Sequence, residues 1–188
     1  MSKTFLSKKW VAALAATAAF AAFPTQAQTV LKIGHVLAKG SHYDIGANVF
    51  CENLDKNTQG RYKCQVYPAS ALGGEREQIE AVQIGTQDLV ITSTGPVGNF
   101  VPEMKVVDVP FLFRDYDHAR KVLDGKIGQD MLAKFSNHGL VALAWSENGF
   151  RHMTNNKRAI VSAADATGLK MRTMENKVHM EGYRAFGI

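Results

Sequence analysis

Two cysteines in 188 residues are too few for a disulfide-built mini-scaffold or a four-cysteine zinc site. No C-x-x-C, H-E-x-x-H, P-loop, G-x-G-x-x-G or G-x-S-x-G sequence occurs. The commonest redox, zinc-protease, nucleotide-binding and serine-hydrolase signatures are therefore missing. The six histidines (35, 42, 118, 138, 152 and 179) include no i, i+4 pair on a helix, so neither a metal nor a cofactor is expected. No N-x-[ST] sequon occurs. No apolar run reaches the roughly 18 residues of a membrane span, which excludes a polytopic membrane protein.

What is present is the profile of a globular protein: 46% hydrophobic and 21% charged residues. The formal charge of +5 is not a property of the fold. Residues 1–27 read as an export signal, with Lys3, Lys8 and Lys9 ahead of fourteen apolar-rich residues from Trp10 to Phe23. Thr25-Gln26-Ala27 then suits cleavage before Gln28. A membrane anchor is the competing reading, but it wants about 20 apolar residues. Removing the three lysines leaves 19 basic against 17 acidic side chains, a net +2. That is no nucleic-acid footprint, which would need a basic stripe on the folded domain.

Beyond Gln28, strand-like and helix-like segments alternate. Val30–Val36 reads as a buried strand. Asp44–Thr58 has helical period, with Ala47, Phe50, Cys51 and Leu54 on one stripe. Tyr62–Tyr67 has strand period, Glu75–Ile84 is a helix with acids in its first turn, and Asp88–Thr92 is a strand. After an irregular crossing through Gly95–Pro102 come helices at Tyr116–Leu123 and Ile127–Asn137. Strands are expected at Leu140–Trp145, Phe150–Thr154 and Leu169–Arg172, and a last helix at Asn176–Phe186. The order predicts an α/β fold with a mainly parallel sheet.

Ligands of open α/β sheets bind beyond the carboxyl ends of the strands. Those ends carry His35, Ser93 with Thr94, Glu147 with Asn148, and Arg172 with Thr173, while Arg151 lies near the start of the Phe150 strand. Two arginines among such groups point to a small polar anion, because guanidinium matches a carboxylate bidentately. The competing reading of each strand-end residue is ordinary surface polarity. For Arg172 it is a structural salt bridge to Glu175 or Glu147. Cys51 and Cys64 can face the same layer; they are either a disulfide or two buried small hydrophobes.

Five stretches resemble one family: L-K-I-G-H-V (31–36), Y-P-A-S-A-L-G-G-E-R-E (67–77), V-D-V-P-F-L-F (107–113), N-G-F-R-H-M-T-N (148–155) and G-L-K-M-R-T (168–173). In order and spacing they are similar to the DctP-type solute-binding proteins of tripartite ATP-independent periplasmic (TRAP) transporters. The resemblance implies a type II-like periplasmic binding fold with two hinged lobes and mainly parallel or mixed sheets. Residues 28–148 would supply most of the first lobe and 149–188 the start of a second, incomplete one. It implies a carboxylate contact from Arg172, a second from Arg151, and a ligand hydroxyl at Glu75. His35, Ser93, Asn148 and Glu175 are further expected ligand contacts.

Function and partners follow from the same resemblance. The expected protein is a periplasmic, monomeric receptor of a Gram-negative type cell, not an enzyme. It would close around a small organic acid by hinging near 148–150 and hand it to membrane permease subunits. Glu75 and Glu77 favour a hydroxylated ligand, a sugar acid such as a uronate, over a C4-dicarboxylate or another oxo or hydroxy acid. Family members are much longer, and the helix pattern running to Ile188 leads us to expect a chain that continues. Two rival readings are a truncated, non-functional receptor and a periplasmic enzyme using His35 near Glu75 as a dyad.

Overall fold

The computed structural model describes residues 28–188, so the expected export signal lies outside the described residues. Strand β1 (Thr29–Gly34) leads into helix α1 (His42–Asn57), then β2 (Tyr62–Tyr67), α2 (Glu75–Gln83) and β3 (Leu89–Val90). The three strands form a parallel sheet in the order β2-β1-β3, with Gly34 opposite Tyr67 on one side and Val90 on the other. Parallel strands need crossover connections, and α1 and α2 supply them. Ser41 caps α1 by accepting the Asp44 N–H, and Tyr43, Asp44 and Ala47 turn inward. Along β2, Tyr62, Cys64 and Val66 are part-buried while Lys63 and Gln65 are exposed, the alternation expected from the sequence.

Two devices fasten the layers. Cys51 of α1 and Cys64 of β2 are joined, with Cα atoms 5.4 Å apart. On the opposite side of β1, Gln78 and Gln87 are fully or nearly buried. The Gln87 amide donates to Gln78 Oε1 at 3.3 Å and to the Leu89 carbonyl at 2.7 Å. Glycine at position 34 leaves room for this pair, because a Cβ there would displace the Gln78 carboxamide.

Beyond β3 a short helix α3 (Thr94–Val97) and a 3-10 segment (Pro102–Asp108) cross the sheet edge. Helices α4 (Tyr116–Leu123) and α5 (Lys126–Ala133), a 3-10 turn (Lys134–His138), a second (Ala163–Ala166) and α6 (Lys177–Ala185) follow. Ile79, Val97, Val101, Met104, Met131 and Leu140 form one apolar core.

Three expected strands are corrected. Leu140–Trp145, Phe150–Thr154 and Leu169–Arg172 are not strands, and residues 141–161 take part in no backbone–backbone hydrogen bond among the described residues. An apolar, β-branched run supplies side chains for a strand, but the strand exists only with a ladder partner. Here Leu140 anchors in the core and Trp145 donates to the Gly128 carbonyl at 3.1 Å, while Val141 and Leu143 stay exposed. The Asp88–Thr92 strand is shorter than expected for a related reason: only Leu89 and Val90 lie beside β1.

Candidate functional site

Parallel pairing brings the carboxyl ends of β1 and β3 to one edge of the sheet, and α2 begins beside them. Glu75 is the first residue of α2, at the positive end of the helix. Its Oε1 accepts from Ser93 N at 2.8 Å, Ser93 Oγ at 2.7 Å and Thr92 Oγ1 at 3.2 Å. One carboxylate oxygen is thus saturated by the end of β3, and Oε2 receives no hydrogen bond from the described residues. Glu77, paired with it in the sequence argument, is exposed and lies outside the cluster.

The second side of the site comes from the C-terminal segment. Met174 is 7% exposed, and its sulfur lies 3.2 Å from Ser93 Oγ and 3.5 Å from Arg151 Nη2. Ser93 has a single hydroxyl proton, and the carboxylate is much the stronger acceptor, so that proton belongs to Glu75. Among the described residues the Arg151 guanidinium therefore has only a thioether, a weak acceptor, as hydrogen-bond partner. Met174 comes this close because residue 95 is glycine; a Cβ there would overlap the Met174 methyl. Arg172 is exposed and makes no hydrogen bond or ion pair among the described residues. The two carboxylates that could have claimed it are engaged elsewhere: Glu175 with Arg76 at 3.2 Å and Glu147 with Arg120 at 2.7 Å.

What holds residues 172–176 in place is a buried polar knot. Asp108 accepts from Thr94 Oγ1 at 2.6 Å and from Asn176 Nδ2 at 2.7 Å, and His179 Nε2 stands 3.6 Å away. Asn176 also donates to the Gly95 carbonyl at 2.9 Å and caps α6.

On the third side, His35 follows β1 and is fully buried. Its Nε2 is 3.4 Å from Asp44 Oδ1, and its Nδ1 has no partner among the described residues. The Gly40 N–H, and secondarily His35, hold the Asp44 carboxyl below the usual carboxylate range. Tyr43 stands edge-on to both His35 and His42, and His42 Nε2 lies 3.1 Å from Asn148 Oδ1. Among the described residues no group of three or more His, Cys, Asp or Glu side chains is disposed to hold a metal ion.

The profile of the bacterial extracellular solute-binding proteins of family 7, DctP, matches residues 33–188. The chain belongs to this family. A curated relative, a solute-binding protein of Verminephrobacter eiseniae, is 55% identical over 86% of this chain and 48% of its own length. A TRAP periplasmic solute-binding protein of Polaromonas sp. JS666, solved with D-erythronate, is 68% identical with a TM-score of 0.84, over 85% of this chain and 53% of that one. A TRAP protein of Bordetella bronchispeptica, solved with density interpreted as pantoate, is 56% identical with a TM-score of 0.84, over 86% and 54%. The DctP chain thus spans about half the length of these relatives. The family is one of solute-binding proteins in transport, not of enzymes.

Within this DctP chain the expected residues divide into two groups. Glu75, Ser93 and Arg151 are brought together around Met174, with His35 and Asn148 linked to them through Tyr43 and His42. Glu175 points away, onto Arg76 and the outer face of α2. His35 pairs with Asp44 and Glu75 with Ser93, so the dyad of the enzymatic alternative is not formed. Met174 and Tyr43 were missed. Tyr43 could have been found from the α1 periodicity, since it lies one turn before Ala47 on the inward face. The Met174 contact had no signal in the sequence, because it depends on how α6 docks.

Proposed function

We propose that this chain carries the anion-recognising part of a periplasmic receptor that captures a small hydroxylated monocarboxylate and delivers it to a TRAP permease. The observation that carries the reading is the unspent hydrogen-bonding capacity of the site: Arg151 bound only to a thioether, Arg172 bound to nothing among the described residues, and Glu75 with one free oxygen. Guanidinium groups without carboxylate partners suit an incoming carboxylate. A fixed carboxylate repels a second anionic end but accepts from a hydroxyl. The pairing therefore favours a hydroxy acid with one carboxylate over a dicarboxylate. D-erythronate, found with the Polaromonas protein, has that chemistry and is the first ligand to test.

In this reading Arg172 and Arg151 bind the carboxylate, Glu75 takes a hydroxyl, and closure about residues 148–150 excludes water. His35 and Ser93 shape the floor. The receptor acts as a monomer and turns nothing over. Titration calorimetry with D-erythronate, succinate, D-glucuronate and the neutral tetritol tests it. Saturable binding of a hydroxy acid, with none of the tetritol, is the expected result; a protein that binds no acid refutes the proposal.

One observation favours a second reading, a chain that does not bind an acid by itself. Val161 is 91% exposed, Phe111 86% and Val141 79%. Contiguous exposed apolar area would bind a hydrophobic dye and promote association. Strong dye binding together with absent acid binding would favour this alternative.

A further inference from the structure

We infer that the Tyr43 hydroxyl is a ligand-binding group that donates a hydrogen bond to the carboxylate of the captured acid, beside Arg151. The inference rests on the organic-acid reading above and adds to it a carboxylate contact from α1.

Tyr43 sits in the first turn of α1 and is 4% exposed. Its ring is fixed by two edge contacts, His42 at 4.8 Å between centroids and His35 at 6.2 Å. The hydroxyl makes no hydrogen bond to the described residues. It is also not sealed in, unlike His35 Nδ1, which is fully enclosed and unpartnered. A nearly buried phenol whose hydroxyl is reachable and makes no bond within the described residues is held by its ring and free to donate to a ligand.

The surrounding contacts form a ring. Tyr43 touches His42, His42 reaches Asn148, and Arg151 follows three residues later. Arg151 meets Met174, Met174 meets Ser93, and Ser93 holds Glu75. The β1–β3 pairing, with Ile91 N–H donating to the Gly34 carbonyl at 3.0 Å, returns the ring to His35 and so to Tyr43. Tyr43 therefore feels both charges. Burial and the Glu75 carboxylate push its hydroxyl up to about 12, with Arg151 acting the other way. It remains a protonated donor at neutral pH. Glu75 repels a carboxylate and Arg151 attracts one, so the acid's anionic end turns toward Arg151 and Tyr43, and its hydroxyls toward Glu75.

The test is titration calorimetry of the intact protein with D-erythronate, comparing wild type with Tyr43→Phe. Phenylalanine keeps the ring and both edge contacts, and melting temperature checks that the fold is retained. A hydrogen bond to an anion sets the expected loss at roughly 10- to 100-fold in affinity for Tyr43→Phe. D-erythronamide, which lacks the anion, should bind both proteins weakly and alike. Equal erythronate affinity in wild type and Tyr43→Phe overturns the inference while leaving the receptor reading intact. A wild type that binds no acid overturns both. If Tyr43→Phe melts early, the wild type still decides: the Tyr43 Cζ carbon resonance must shift on adding erythronate, and an unmoved resonance overturns the inference.

Discussion

Replacing Glu75 by glutamine changes one atom and separates two roles of that side chain. In the wild type one oxygen accepts two short hydrogen bonds from Ser93, at 2.7 and 2.8 Å, and a longer one from Thr92 at 3.2 Å. The carboxamide oxygen can still accept all three, but without charge assistance, which costs about 1 kcal/mol for each short bond. Loss of a negative charge at the start of α2 adds about 0.5 kcal/mol. Glu75→Gln should therefore destabilise the protein by about 2.5 kcal/mol. At this size that lowers the melting temperature by roughly 5–10 °C. Binding should respond in two directions. The amide presents N–H donors where a free carboxylate oxygen stood, so a hydroxy acid loses an acceptor and binds about tenfold more weakly. A ligand with carboxylates but no hydroxyls, such as succinate, loses a repulsion and should bind no worse. Calorimetric melting and two titrations read all of this. An unchanged melting temperature would refute the hydrogen-bond reasoning, and equal losses for both ligands would refute the assignment of Glu75 to a hydroxyl.

Arg172→Lys removes the fork that matches a carboxylate, and truncating one partner of a desolvated charge pair costs about 2–5 kcal/mol. Acid affinity should fall by roughly 30-fold or more, and wild-type affinity in calorimetry would remove Arg172 from the site. The Cys51–Cys64 bridge closes a short loop, with a sequence separation of 13. The chain-entropy argument assigns it about 3 kcal/mol, to be read as the loss on Cys51→Ser plus Cys64→Ser in denaturant unfolding. Asp44 is held below its ordinary value by the Gly40 N–H and by His35. Its stabilisation is thus fully present above about pH 4 and is lost as pH falls through the depressed value. Denaturation midpoints at pH 7 and pH 3 should show that loss in the wild type and less of it in Asp44→Asn; identical acid sensitivity would argue against this role.

The first half of the chain was legible because its signals are local and agree. The stripe of Ala47, Phe50, Cys51 and Leu54 marks α1, the alternation through Tyr62, Cys64 and Val66 makes β2, and Glu75 and Glu77 mark the start of α2. Strand ends in a parallel sheet share an edge, so His35 and Ser93 could be placed at one edge from topology, while Glu75 as a site residue came from the family resemblance. Residues 140–172 were misread for the opposite reason. Their apolar runs satisfy strand propensity, yet propensity only says that a side chain fits a pleated surface. Whether a neighbouring strand exists to complete the ladder is a non-local fact, and no pattern within Leu140–Trp145 reports it.

The same distinction explains which binding residues were visible. Arg151 and Arg172 were expected because their type and position fit an anion, and both carry unspent donors in the folded chain. Glu175 was expected only from the family resemblance, since a carboxylate has no type match to an anion, and in the folded chain it pairs with Arg76 across 99 residues of sequence. Met174 is the reverse case: an unremarkable apolar residue becomes the hub between Ser93 and Arg151 because Gly95 leaves room and the Asp108–Asn176 knot draws the segment in. A thioether is also a suitable occupant for a site awaiting an anion. It fills the space and holds the guanidinium loosely, and as a weak acceptor it yields to a carboxylate at little energetic cost. An aspartate or glutamate at position 174 would bind Arg151 too well to be displaced, so the absence of a strong acceptor there is itself part of the case for ligand capture.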